Sequence, residues 1–274
     1  MPRKTPAPEP APTLSRLSRL GPYRVSSGVL DPIGIPGQIW TPQTAPRFPA
    51  VVFGHGWLQP AARYSQTLRH LASWGFVVAA PDTERGPLPS HSGLAVDLSR
   101  TVDRICAAKL GGGRVTIDAQ RVAAIGHGIG GSAAVLAAAT LPKLKAIATI
   151  SAAPTVPSAV DAAHRVRVPG LHLMGTKERL ANRHGNGRAL AKAWAGPVQF
   201  RTLSGATDLA FAEGKHWTST VLGDGNATAV QRAVRALLTA FLLINLAGED
   251  ALAENFAGSL KGTELVDLSA PAKR

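Results

Sequence analysis

Cysteine is almost absent from this chain of 274 residues, which contains Cys106 alone. One thiol cannot form a disulfide within the chain, and it cannot supply a thiolate-rich metal site. The histidines show no close spacing such as H-x-x-x-H, so the sequence indicates neither a metal site nor a metal cofactor. Cys106 falls on the apolar face of a predicted helix, where a buried core thiol is the favoured interpretation.

Acidic residues are also few, since 17 Asp and Glu stand against 30 Lys and Arg and leave a formal net charge of +13. An excess of this size attracts anionic surfaces and acidic partners, but it says nothing about the fold. The basic residues recur along the chain without a continuous stripe or interleaved aromatics, so nucleic-acid binding is only weakly indicated. Binding of anionic polymers or lipids through a basic surface therefore stands as a third hypothesis.

Long hydrophobic runs are missing as well. The most apolar run, residues 236–248, is shorter than the roughly 20 residues that a membrane-spanning helix needs, and we interpret it as a core helix. The first twelve residues begin with positive charge, as a signal peptide does, but they carry prolines instead of an apolar stretch. These features predict no transmembrane segment, a flexible extended tail over residues 1–19 and a cytoplasmic location.

The remaining composition is that of a globular protein, with 45% hydrophobic and 17% charged residues, which excludes a chain that is disordered throughout. The 28 glycines and 21 prolines follow no three-residue period, which excludes collagen. We find no internal repeat and no second core. The sequence therefore predicts one domain over residues 20–258, followed by a loose tail over residues 259–274.

Short apolar segments typical of buried strands alternate with segments of helical periodicity. The strand segments are residues 50–53, 76–80, 121–125, 145–150, 170–174 and 198–203, and the helical segments are 63–74, 94–109, 132–140, 187–194 and 228–246. This alternation predicts the α/β class, with a mostly parallel central sheet and helices on both faces. In such sheets function lies at the carboxyl ends of the strands.

Four segments at those ends carry the residues of chemical interest, namely 54–57, 126–131, 175–179 and 204–209. Together they resemble the α/β-hydrolase fold, in particular the dienelactone hydrolases, chlorophyllases and polyester hydrolases, over residues 23–256. The resemblance implies a three-layer fold, an oxyanion-hole loop at His55 and a G-x-S-x-G nucleophile elbow at residues 126–130. It also implies that residues 204–208 correspond to the segment that presents the catalytic histidine.

The catalytic positions depart from this family pattern. The nucleophile position is Gly128, which has no side chain, and the histidine position is Asp208. The expected acid lies near Glu178, with the register open by one residue. A carboxylate cannot replace an imidazole as a base near neutral pH, and loss of both nucleophile and base should abolish the acyl-enzyme route.

A binding site can persist without the triad. By resemblance, the backbone N–H groups of Trp57 and Ile129 face a small acyl or carboxylate ligand at a helix start. His55 and His127 flank this predicted pocket, and we favour packing and hydrogen bonding beneath the loops over catalysis for both. The leading hypothesis is therefore a catalytically degenerate hydrolase-fold protein that serves as a binding, scaffold or regulatory protein, with a protein partner as a further expectation.

Two other interpretations of these residues remain open. The glycines of residues 126–131 also fit a dinucleotide-binding fingerprint, but the acid that this motif needs about 20 positions later is replaced by Ser151, so we predict no cofactor. An esterase with a non-standard site would use Glu178 and His216. Ser132 lies too far along the helix for the nucleophile position, and a hydroxyl bonded to backbone is its favoured role.

Overall fold

A computed structural model of the protein describes residues 12–43, 47–178, 186–214 and 227–270. Its central feature is one sheet, and the strands within the described residues are β1 (Val25–Val29), β2 (Gly37–Pro42), β3 (Arg47–Gly54), β4 (Val77–Pro81), β5 (Thr116–His127), β6 (Leu144–Ile150), β7 (Gly170–Gly175), β8 (Val198–Leu203) and β9 (Thr263–Leu265). Their order across the sheet is β1-β2-β4-β3-β5-β6-β7-β8-β9.

The middle of the sheet is parallel and its two edges are antiparallel. Every neighbouring pair from β4 through β3, β5, β6 and β7 to β8 is parallel, whereas β1, β2 and β9 join antiparallel. The register places Gly54 beside Gly126 and His127 beside Ile150. The carboxyl ends of β3, β5 and β6 therefore lie side by side at one end of the sheet.

Helices cover both faces of this sheet. They are α1 (Leu14–Leu17), α2 (Ser65–Ser73), α3 (His91–Ala107), α4 (Ile129–Ala138), α5 (Ala159–Ala163), α6 (Asn186–Ala193), α7 (Ala227–Leu242) and α8 (Ala253–Ala257). Alternate residues of β3 point to opposite faces, so Val51 and Phe53 join the core beneath α1, α2, α7 and α8. Val52 joins the second core, beneath α3, α4, α5 and α6. The predicted three-layer α/β fold is confirmed.

Helix α7 continues through a π-helical turn, Leu243–Ala247, and contains the apolar run that we interpreted as a core helix. Within the part of the chain that the structure describes, Ala227–Ala247 is the one helical stretch long and apolar enough to cross a membrane by length and composition. Of its most apolar window, 61% is buried inside the fold, and Leu237, Leu238 and Leu242 belong to the core.

Parts of both predicted tails contribute to the fold. Thr13 caps α1 through its side-chain oxygen, and Leu14 and Leu17 are buried in the core that α7 lines. At the other end of the chain, β9 pairs with β8 at the sheet edge, inside the segment over residues 259–274 that we expected to be loose. Both segments are too short to show a period of their own, and tertiary contacts order them.

Glycines allow the start of α4 to approach the sheet closely. A Cβ on Gly130 would lie 2.3 Å from the Gly54 carbonyl carbon, and a Cβ on Gly126 would lie 2.4 Å from that of Gly130. Real Cβ contacts are longer than this, so these positions require glycine. The glycine spacing that suggested a dinucleotide fingerprint therefore serves helix–sheet packing here.

We predict that Gly130→Ala destabilises the fold, because its Cβ would meet the backbone of Gly54 and His55. Overpacking of this kind costs about 1–3 kcal/mol or more. Thermal unfolding should show the change as a lower midpoint. Gly86→Ala is the matched control, since a Cβ there meets nothing within 4 Å, and equal midpoints for the two variants would contradict the prediction.

Candidate functional site

The loops at the carboxyl end of the sheet carry unusual backbone conformations. Among the described residues, the non-glycine residues with positive φ are Leu58, Glu84 and Ser151, and they follow β3, β4 and β6 respectively. Such conformations cost free energy and tend to cluster at functional sites. All three therefore lie at the carboxyl end of the sheet, where the sequence analysis placed the candidate site.

Gly128 forms the turn between β5 and α4, with φ 56° and ψ −123°. Its N–H donates to the Ile150 carbonyl over 2.9 Å, and its own carbonyl accepts from Ala153 N–H over 3.1 Å. The elbow is thus held by backbone hydrogen bonds. Among the described residues, a Cβ at this position would meet the Gly56 Cα alone, at 3.6 Å. These residues leave room for a Cβ at position 128, although the residue is glycine.

Two backbone amides border this space. Trp57 follows Gly56, and Ile129 follows Gly128 as the first residue of α4. Neither N–H group has a hydrogen-bond acceptor within the described ranges of the chain. The Trp57 side chain is 47% exposed, and its indole N–H donates to the Pro87 carbonyl over 3.0 Å. The loop at Gly56 and the helix start at Ile129 therefore retain free donors beside the open space.

His127 lies beneath this space in a chain of hydrogen bonds. The Gly56 N–H donates to the Tyr64 hydroxyl over 3.2 Å, and that hydroxyl donates to His127 Nδ1 over 2.7 Å. The Nε2–H of His127 donates to the Asp208 carbonyl over 2.9 Å. Burial lowers the pKa of His127 to about 4 and raises the pKa of Tyr64 above its usual range. The imidazole is therefore neutral, and both of its nitrogens are occupied.

His55 is also enclosed by its surroundings. Its side chain is fully buried, with Nδ1 at 2.9 Å from the Gly56 carbonyl and Nε2 at 2.7 Å from the Thr83 carbonyl. The ring connects the loop after β3 to the loop after β4. Its position fits the interpretation that we favoured from the sequence, in which this histidine packs and hydrogen-bonds beneath the loops.

Glu178 is the acid nearest to the expected triad position, directly after β7. Its Oε1 accepts hydrogen bonds from the Ser151 hydroxyl and the Gly175 N–H. Its Oε2 is buried and has no hydrogen-bond partner among the described residues. Burial, with a smaller contribution from the negative charge of Asp208, raises the pKa of Glu178 to about 7, while the two hydrogen bonds act to lower it. Glu178, near the expected acid position, and Asp208, at the expected histidine position, are thus close enough for their charges to interact.

The other candidate nucleophiles and bases are placed differently. Ser132 is fully buried and donates to the Ala153 carbonyl over 2.5 Å, so its hydroxyl is already satisfied. Cys106 is half-buried on α3, and burial raises the pKa of its thiol. His216 lies outside the described residues. In the described part of the chain, no group of three or more His, Cys, Asp or Glu side chains is placed to hold a metal ion.

Comparison with known proteins agrees with this geometry. A model of the chlorophyllase family matches residues 24–162, which is half of the chain. The chain belongs to the chlorophyllase family. This match contains the loop at Gly56 and the turn at Gly128, whereas Glu178 and Asp208 lie beyond it. The predicted resemblance to α/β-hydrolases of this group is confirmed.

Two curated relatives of this chlorophyllase-family chain are cutinases of Thermobifida alba. Cutinase est1 is 31% identical over 142 residues, which is 50% of this chain and 48% of the relative. Cutinase est2 is also 31% identical over 142 residues, which is 50% of this chain and 47% of the relative. The chain thus spans about half the length of the curated relatives that it matches.

A polar network that the sequence analysis missed anchors the segment after Asp208. The Glu213 carboxylate accepts hydrogen bonds from the Gln66 and Thr67 amides at the start of α2, each over 2.7 Å, and pairs with Arg235 at 3.1 Å. The buried Arg63 guanidinium donates to the Glu213 carbonyl over 2.9 Å. Arg63, Gln66 and Thr67 lie 146–150 positions from Glu213 in the chain, so no local pattern signals these contacts.

Ser151 and Tyr64 were missed as well. Ser151 was considered only as a place where a dinucleotide-binding acid was absent, yet its hydroxyl contacts Glu178. Tyr64 falls in the predicted helical segment 63–74 and is buried, and its hydroxyl hydrogen-bonds to the His127 ring. The sequence did contain a signal for Ser151, because this serine directly follows a buried strand at the carboxyl end of the sheet.

We predict that Glu178→Gln changes the pH dependence of stability. The fold favours protonated Glu178, so this group stabilises the protein below its ordinary pKa of 4.5, and the contribution is lost as the pH rises through about 7. From about pH 5 to pH 8, the wild type should lose up to about 3 kcal/mol of unfolding free energy that the variant keeps. Denaturant unfolding at several pH values measures this.

Glu254→Gln is the control, because this carboxylate is exposed. The buried neutral His70 and His127 have pKa values of about 4, so their stabilisation is lost as the pH falls below 6.5. This histidine contribution is lost on acidification in the wild type and in both variants alike, whereas the Glu178 contribution is lost as the pH rises. Parallel pH profiles for Glu178→Gln and the wild type would contradict the assignment of Glu178 as a group that titrates near neutrality.

Proposed function

We propose that this chlorophyllase-family protein binds an acyl or carboxylate ligand at the elbow and does not hydrolyse esters through an acyl-enzyme. It acts as a binding, scaffold or regulatory protein, with a protein partner as a further part of the proposal. The observation that carries this proposal is the Gly128 turn. It keeps the elbow conformation and the free space above it, but it offers no oxygen or sulfur that could attack a carbonyl.

The hydroxyls around the elbow support the absence of a nucleophile. Ser132 donates into the backbone and is fully buried. Ser151 is 1% exposed and faces a carboxylate instead of an imidazole. Tyr64 does contact an imidazole, but burial raises the pKa of its hydroxyl and keeps it protonated. An acyl-enzyme needs an accessible, activated nucleophile, and these three groups are all buried.

The proton acceptors near the elbow support the same conclusion. His127 accepts from Tyr64 and donates to the Asp208 carbonyl, so neither ring nitrogen is available to a substrate. A general base must reach the proton that it removes within hydrogen-bond distance. Glu178, whose pKa is about 7, already receives two hydrogen bonds from Ser151 and Gly175.

The proposed ligand follows from the donors that remain. The amides of Trp57 and Ile129 have no acceptor within the described residues, and Ile129 begins a helix, whose N-terminus favours negative charge. A carbonyl or carboxylate oxygen is the matching acceptor. The exposed Trp57 side chain offers apolar surface to the rest of an acyl ligand.

The alternative function is an active carboxylic-ester hydrolase with a non-standard site. Two observations favour it, namely the cutinase relatives and the hydrogen bond from the Ser151 hydroxyl to Glu178. In this alternative, Glu178 acts with Ser151 or with His216. The two candidate functions differ in one measurable property, which is ester turnover by the pure protein.

We predict no turnover of p-nitrophenyl esters by the wild type above background. The double variant Gly128→Ser and Asp208→His should gain weak esterase activity, because the new Cβ lies 3.6 Å from the Gly56 Cα without a clash and the new imidazole lies near Glu178. Gly128→Ser alone lacks the base, and we expect it to be on the order of 10²-fold less active than the double variant. Release of p-nitrophenol measures all three.

Gly128→Ala with Asp208→His is the matched control, since it adds the Cβ and the imidazole without a hydroxyl. It should remain inactive. Wild-type turnover that disappears in Glu178→Gln, Ser151→Ala or His216→Ala would overturn the proposal in favour of the esterase. Turnover that survives all three substitutions would point to a contaminating hydrolase.

We predict that a medium-chain carboxylate such as octanoate binds at the elbow of the wild type. Backbone amide resonances of Trp57 and Ile129 should shift in NMR titration, because these N–H groups are the proposed donors. A bulky substitution at the turn, Gly128→Leu, should block binding by filling the space above it. Shifts confined to other parts of the chain, or unchanged binding by Gly128→Leu, would contradict the proposed ligand site.

A further inference from the structure

Charge is distributed unevenly along this chain. Residues 12–81 contain one carboxylate, Asp31, while arginines occur at positions 16, 19, 24, 47, 63 and 69. This stretch forms α1, β1, β2, β3, α2 and β4. The sequence showed no linear basic stripe, but the fold collects several of these arginines on one surface. We call the surface formed by Arg16, Arg19, Leu20, Arg24 and Arg69 the basic face.

Two arginines of the basic face line one cavity. Arg24 and Arg69, together with Leu20 and Tyr23, border a cavity of about 400 Å³ that has no acidic residue in its lining. Both arginine side chains are exposed, and within the described residues neither guanidinium has a hydrogen-bond or ion-pair partner. Two uncompensated guanidinium groups at one cavity make a site for an anion, since arginine matches phosphate geometry well.

The two arginines of the α1 segment are anchored beside this cavity. The Arg16 guanidinium donates to the Leu20 carbonyl over 2.9 Å and lies over the Trp74 ring at 5.0 Å from its centre. The Trp74 indole N–H donates to the Arg19 carbonyl over 3.0 Å. These contacts hold the segment that carries Arg16, Arg19 and Leu20 against the end of α2.

An exposed aliphatic side chain lies among these charges. Leu20 is 60% exposed, although it lines the cavity between Arg24 and Arg69. A second cavity of about 380 Å³ shares Tyr23 with the first and is lined by Trp74 and other apolar residues, together with Arg47, Arg121 and Glu249. The basic face therefore combines positive charge with accessible apolar surface.

The basic face is separate from the elbow. Its second cavity contains Arg47 and Phe48 from the start of β3 and Phe76 from just before β4. These positions mark the amino ends of the parallel strands. The Gly128 turn follows the carboxyl end of β5, at the opposite end of the sheet. A partner on the basic face would thus leave the proposed ligand site open.

We propose that the basic face docks this protein on an anionic phospholipid surface. Arg24 and Arg69 receive a headgroup phosphate, Arg16 and Arg19 add attraction to the anionic surface, and Leu20 enters the boundary between headgroups and acyl chains. The proposal rests on charge complementarity and on the position of Leu20. It goes beyond the proposed function and does not depend on it.

Lipid fits this face better than nucleic acid does. Single-stranded nucleic acids stack their bases on exposed aromatic faces. Here Tyr23 packs edge-on against Phe48 at 5.5 Å between ring centres, and the Trp74 ring is covered by Arg16. The accessible apolar side chain is aliphatic, which suits an acyl boundary.

The test is cosedimentation of the full chain with vesicles. We expect the protein to bind vesicles of phosphatidylcholine and phosphatidylserine at a ratio of about 3:1, and we expect this binding to weaken as the salt concentration is raised. The protein should not bind vesicles of phosphatidylcholine alone. Each arginine near an anionic surface contributes about fivefold to partitioning, so Arg24→Gln with Arg69→Gln should weaken it roughly 25-fold. Leu20→Ser should weaken partitioning while leaving its salt dependence unchanged.

Arg165→Gln with Arg167→Gln is the matched control, because it removes the same charge from exposed arginines outside the basic face. It should retain nearly all of the binding, and thermal unfolding should show that both double variants fold as the wild type does. Equal loss in the two double variants would overturn the assignment, because net charge alone would then explain binding. Absent vesicle binding, or displacement of the vesicles by a single-stranded oligonucleotide at low concentration, would also overturn it.

Discussion

The candidate site depends on the close backbone approach of α4 to β3 and β5. Glycines at positions 54, 126 and 130 make this approach feasible, since added Cβ atoms would lie 2.3–2.7 Å from backbone atoms. The contact brings the Gly128 turn beside Gly56, and with them the amides of Trp57 and Ile129. It involves no catalytic side chain, so nothing in the packing of the elbow requires a nucleophile at position 128. The fold and the site geometry can therefore persist where the triad residues do not.

Most polar groups named beneath the elbow have partners within the described residues, the exception being Glu178 Oε2. His127 connects Tyr64 to the Asp208 backbone, His55 lies between two loop carbonyls, and Ser151 donates to Glu178. The buried His127 imidazole is stable here because it is neutral and both of its nitrogens have partners. The same low-polarity surroundings keep Glu178 partly protonated near neutral pH. These contacts connect the loops that follow β3, β4, β6 and β7.

Several parts of this structure were predictable because their signals are local. Apolar strands alternating with amphipathic helices predicted the parallel sheet with two helical layers, and the motif at residues 126–131 located the elbow. Other parts were not predictable because they join distant segments. The Glu213 carboxylate caps α2 from nearly 150 residues away, and β9 adds to the edge of β8 from a segment without a clear period. The basic face is of the same kind, since Arg24 and Arg69 meet only after folding.

The sequence by itself determined that residue 128 is glycine and residue 208 is aspartate, because residue identity requires no coordinates. It also determined the order of strands and helices, because hydrophobic periodicity is a property of neighbouring residues. Only the tertiary structure decided that the space above Gly128 is open, that His127 is closed to a substrate on both nitrogens, and that scattered arginines share one surface. Each of those facts is a distance between residues far apart in the chain, and such distances are set by packing, which no local pattern encodes.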